Sequence, residues 1–168
     1  MAIWYEVEHS EKGIQNFMNC NWDFHDFSIQ HVSYFHESNT AELFLKYDEL
    51  EGSIILRFVG IHSMNVAIQD DCEYTNYTNY IMGSVLLLLN NGQFLWIDND
   101  EWGDQSANHI EDLKNSSTWI QADRLIWATT DSHGNPTELP KNKIDQVWNI
   151  YGKKEHHHFD LVPYNEHE

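Results

Sequence analysis

Three neighbouring side chains, Asp23, His25 and Asp26, are of the types that move protons. A carboxylate beside an imidazole can orient the ring and raise its pKa, which is the starting material of general acid–base chemistry. The same groups can also donate to a metal ion. Catalysis asks for more: a further imidazole such as His31, His62 or His109 converging on His25 and Asp26, and a nucleophile or oxyanion donors. The competing role is local. An Asx-type turn, in which Asp26 or His25 bonds nearby backbone N–H groups, would fix the start of the strand that follows.

Two other clusters have ligand-type side chains. His156, His157 and His158, with Asp160 and His167 nearby, could bind Zn²⁺ or Ni²⁺, but a polar tail offers little to hold such ligands in fixed geometry. Asp98, Asp100, Glu101 and Asp104 resemble a Ca²⁺ loop only in part. Gly103 stands at the sixth place, but the twelfth is His109 rather than Glu, and the flanking helices are missing. A P-loop, a Gly-rich dinucleotide turn, HExxH and GxSxG are all absent from the sequence. No cofactor is expected.

Charge narrows the partners. Lys and Arg number 9 against 27 Asp and Glu, a net charge of −18. Such a field repels nucleic-acid phosphates and attracts a basic protein. Solubility alone is the plainer explanation of the same number. Tyr74, Tyr77, Tyr80 and Trp102, ringed by Asp98, Asp100, Glu101 and Asp104, are the candidate anchors of a protein-binding surface. The two cysteines, Cys20 and Cys72, show no CxxC or metal spacing. With no signal-peptide pattern at the start and no run of about 18 apolar residues, a cytoplasmic location with reduced thiols is the default expectation.

The elements that must position these groups are mostly strands. Residues 84–98 (SVLLLLNNGQFLWID) read as a hairpin. Asn91-Gly92 is the pair favoured by a two-residue type I′ turn, and that register sets Leu89 opposite Phe94, Leu88 opposite Leu95, Leu87 opposite Trp96 and Leu86 opposite Ile97. Leu87, Leu89, Phe94 and Trp96 then share one face, and Leu86, Leu88, Leu95 and Ile97 the other. Both faces are apolar, so both must be covered.

Ser10 can cap a helix with Glu11 in its first turn and Ile14, Phe17 and Met18 on one side. Residues 2–8, 27–35, 40–47, 53–60, 64–68 and 118–129 read as strands, the second with a bulge near Gln30 and His31 that would bring Ile29, Val32 and Tyr34 to one face. Residues 131–136 are a turn. Ile144, Val147, Trp148 and Tyr151 predict a second amphipathic helix. The expected fold is α+β and mainly β: a twisted antiparallel sheet or two-layer sandwich with two short helices. Residues 1–154 form one globular domain, and 155–168 a polar, His-rich tail.

Phe24, His25, Asp26 and Ile29, placed after a short strand and a short helix, resemble an FHD-S-x-I motif of small bacterial proteins, some of them similar to immunity proteins of polymorphic-toxin systems. The position after FHD is Phe27 rather than Ser, and Ser28 follows. Residues 121–127 (QADRLIW) look like the closing strand of the same families. The resemblance implies a β-rich fold and a protein partner, and no catalytic residues. Three functions remain open: an acidic protein-binding module of immunity type that inhibits a basic toxin or effector, an acid–base or metal-dependent enzyme using His25 and Asp26, and a structural domain that pairs a sheet edge with a second copy of itself.

Overall fold

The computed structural model describes residues 3–47, 51–67, 84–98, 118–139 and 161–165. Their elements are β1 (Trp4–Glu6), α1 (Glu11–Cys20), a 3-10 turn (Trp22–Phe24), β2 (Ser28–Phe35), β3 (Thr40–Lys46), β4 (Ile54–Asn65), β5 (Val85–Leu88), β6 (Phe94–Ile97), β7 (Trp119–Thr130), β8 (Pro136–Thr137) and β9 (Val162–Tyr164). The protein is mainly β: one antiparallel sheet with one helix among the described residues. The second helix expected over 142–151 and the strand end at 68 lie outside them.

β7 organises the sheet. One side of it pairs with β4 along almost its whole length. The other side is shared in turn by β6 at Trp119–Ala122, β1 at Ile126 and Trp127, and β8 at Thr129 and Thr130. β3 and then β2 continue outward from β4, β9 lies beyond β1, and β5 lies beyond β6. The antiparallel pairing follows from short connections and from strands rich in Ile, Leu, Val, Trp and Phe. The bulge falls where the broken alternation of β2 places it, between Ile29 and His31.

β4 runs straight through Gly60, where the sequence suggests a break. Gly60 adopts φ 71°, a conformation that costs glycine little. Asn39, in the β2–β3 turn, clamps the kink: its carbonyl accepts from Gly60 N–H at 3.1 Å and Ile61 N–H at 3.3 Å, and its side-chain amide donates to Ile61 O at 3.1 Å. The core side of β4 therefore changes phase, from Ile54, Leu56 and Phe58 to Ile61 and Met64.

The central hairpin corrects the expected register. Only Gly92, at φ 82°, has positive φ; Asn91 does not, so the type I′ turn is not formed. Gly92 N–H instead bonds Leu89 O at 2.9 Å and Leu89 N–H bonds Gln93 O at 2.8 Å, the three-residue loop that adds a left-handed glycine to a type I turn. One more loop residue slips the register by one and swaps the faces of the first strand. Leu88 opposes Phe94 and Leu86 opposes Trp96, so these four face the main core. Leu87 and Leu89 join Leu95, Ile97 and Trp119 on the other side. Asp131–Asn135 closes by the same pattern, with Gly134 at φ 83°.

α1 lies on the main-core face. Ser10 Oγ accepts from Gly13 N–H at 3.0 Å and caps the helix. Phe17, Met18 and Cys20 are buried, and the Phe17 ring sits 5.8 Å from that of Trp127. On the opposite face Ile55, Ile126 and Ala128 are buried as well. No helix among the described residues is long and apolar enough to cross a membrane.

Candidate functional site

A groove of about 540 Å³ separates α1 from β5. Glu11, Ile14, Gln15, Met18 and Asn19 form one wall, a stripe at i, i+3, i+4, i+7 and i+8 along the helix. Ser84, Val85, Leu86, Leu87 and Leu88 form the other, and Asp23 stands at the end. Met18 and Leu86 belong to the buried core, so the groove opens from an apolar base. Among the described residues, its lining includes two acidic residues, Glu11 and Asp23, and no Lys or Arg.

The turn after α1 fixes one end of this groove. Asn21 closes the helix, its side-chain amide donating to Phe17 O at 2.9 Å. Asp23 (φ 50°), Phe24 (φ 55°) and Asp26 (φ 67°) then take left-handed backbone conformations. Each costs an L-residue about 1–2 kcal/mol, and Asp tolerates it best. Phe24 is held there by burial: it is 0% exposed, with rings 5.5 Å from Phe17 and 5.4 Å from Phe27. Ser84 N–H and Ser84 Oγ both donate to Asp23 O, each at 3.0 Å, tying the turn to the start of β5.

Phe24 of the FHD triplet is thus a core anchor. His25 and Asp26 follow it, their side chains 32% and 29% exposed, with Nδ1 and Oδ1 3.0 Å apart. The contact is not aligned as a hydrogen bond, since Nδ1 of His25 is buried without one. Among the described residues, the pair is not joined by a third His, Cys, Asp or Glu. His31 pairs with Ser33 Oγ and His62 with Asp123 at 2.8 Å, while His109 lies outside the described residues. No three His, Cys, Asp or Glu among the described residues are grouped to hold a metal ion. The groove takes in Asp23 but neither His25 nor Asp26.

Asp98 sits at the end of β6. Its carboxylate accepts Thr118 N–H at 3.0 Å, and its own N–H donates to Thr118 O at 3.0 Å. Burial, opposed by these hydrogen bonds, pushes its pKa up to about 6. It joins β6 to β7 and does not stand clear in solvent. Asp100, Glu101, Trp102, Asp104, Tyr74, Tyr77, Tyr80, His156, His157 and His158 lie outside the described residues.

The β4–β7 register brings together a pair that the sequence gave no sign of. Asp123 Oδ1 meets His62 Nε2, its carbonyl meets His9 Nε2 at 2.8 Å, and both side chains of the His62–Asp123 pair are about half exposed. Both arginines of the chain are used within the fold. Arg57 bonds Glu42 at 2.8 Å and lies 4.0 Å over the Trp4 ring; Arg124 bonds both Glu6 oxygens, at 2.7 and 3.0 Å, and lies 5.3 Å over Tyr164. The chain matches no protein-family model, and neither the curated proteins nor the solved structures contain a match.

Proposed function

We propose that this chain is an acidic cytosolic protein-binding module, of the kind that serves as an immunity-type inhibitor of a basic toxin or effector. The observation that carries the reading is the α1–β5 groove: an apolar base, two acidic residues and, among the described residues, no Lys or Arg in its lining, in a chain of net charge −18. A field of that sign speeds encounter with a basic partner, and an apolar base supplies short-range contact. The FHD resemblance points the same way. The acid–base alternative has less support, because His25 and Asp26 are joined by no third His, Cys, Asp or Glu among the described residues and lie outside the groove.

Affinity capture from the native host, with elution on a salt gradient, tests the reading. A basic protein should be retained and released by salt, since screening weakens exposed charge contacts. Its retention should fall for the double variant Glu11→Gln/Asp23→Asn, which keeps the fold because Asn tolerates the left-handed backbone at position 23. A folded protein that retains no basic partner, or one retained equally by the double variant, would refute this assignment.

A further inference from the structure

β5 is paired on one side only among the described residues. Residues along an antiparallel ladder alternate between those that exchange N–H···O bonds with the neighbour and those that do not. Leu89 N–H bonds Gln93 O, so Leu87 and Val85 turn their backbone groups to β6. Ser84, Leu86 and Leu88 turn theirs the other way. Ser84 shows it directly, because its N–H is the one that reaches Asp23 O. The turn after α1 thus fills the first rung of that outward row, and the next two rungs, at Leu86 and Leu88, lie along the groove with no strand partner among the described residues.

We propose that this edge takes an extended, Lys- or Arg-bearing segment of a basic partner protein, added as a strand beside Leu86 and Leu88. The proposal deepens the protein-binding reading and rests on it. An unpaired edge is a template for another strand: main-chain bonds hold the segment, and its alternating side chains set specificity. Here side chains of one parity meet the apolar base at Met18 and Leu86. Those of the other parity meet the acidic residues of the lining, Glu11 in the helix wall and Asp23 at the groove's end, which favour cations. The edge itself bears no Lys and no Pro, two common guards against added strands.

The test uses capped synthetic hexapeptides on the full chain: alternating Lys and Val, the same peptide N-methylated along one edge, and alternating Glu and Val. The Lys–Val peptide should bind, and methylation that removes its donors should weaken it about tenfold. The variant Leu88→Pro removes an outward N–H that the β5–β6 ladder does not use, a position where edge strands accept proline; it should weaken binding by a similar factor. Hydrogen exchange at the Leu86 and Leu88 amides should slow on binding. Equal affinity for the methylated peptide would overturn strand addition while leaving the acidic-module reading intact. Equal affinity for the Glu–Val peptide would overturn both. Leu86 and Leu88 amides as protected in the free protein as that of Leu87 would show the edge already occupied by the chain itself, and would end the proposal.

Discussion

β7 and β5 are built from similar residues and end in opposite situations. β7 (WIQADRLIWATT) is paired on both sides, and its last six residues are all buried. β5 (VLLL) is paired on one side among the described residues, and its last two leucines are only half-buried. Apolar strand sequence therefore does not determine whether a strand becomes core or edge. What decides is how many neighbours the connections deliver. Three separate elements converge on one side of β7, whereas the helix that reaches β5 leaves a groove beside it.

The largest predicted contrast is in stability. Trp127→Ala removes a fully buried ring packed on Phe17 and Tyr5 and should cost about 3–5 kcal/mol, read as a fall in the urea midpoint. Leu88→Ala, on the half-buried β5, should cost about 1 kcal/mol. Similar midpoints for the two would break the comparison. Next in size are the glycines that close each region. A Cβ at Gly52 would run into the Thr130 carbonyl at the end of β7, and its φ is 80°, so Gly52→Ala should cost about 2 kcal/mol or more. Gly92, beyond β5, has an equally positive φ but nothing within 4 Å; Gly92→Ala should cost about 1 kcal/mol.

Asp98 sharpens the comparison at the joint between the two regions. Its pKa is raised in the folded protein to about 6 from 3.8, so between these values the folded state holds a proton that the unfolded chain has lost. Its contribution is therefore complete below pH ~4 and is lost as pH rises to ~6, by about 2 kcal/mol after allowance for partial exposure. Asp98→Asn keeps an acceptor for Thr118 N–H, and it should flatten the stability profile across that window in urea titrations at a series of pH values. An unchanged profile would remove Asp98 from this role.

The features legible in the sequence are those that depend on neighbours in the chain. The Ser10 cap, the α1 stripe, the Gln30 bulge and the 131–135 turn all follow from local spacing. The type I′ reading of Asn91-Gly92 fails for a physical reason: an Asn-Gly pair serves either a two-residue loop or the end of a three-residue one, and the two differ by one register step. Gly60 reads as a break unless Asn39, distant in sequence, is known to clamp it. The His62–Asp123 pair and the α1–β5 groove exist only through strand order, which no spacing along the chain encodes. For Asp98, its acidic neighbours in sequence point to a carboxylate of a protein-binding surface, and its bonds to Thr118 come from tertiary pairing.

The central claim is that the α1–β5 groove, among all the surfaces of an acidic protein, is where a basic partner binds. Amide chemical-shift mapping during titration with the Lys–Val peptide tests it most directly. The account predicts the largest changes along Glu11, Gln15, Met18 and Asn19 and along Ser84, Leu86 and Leu88. Changes spread evenly over exposed carboxylates, or centred on the β2 edge at His31, Tyr34 and Phe35, would contradict it.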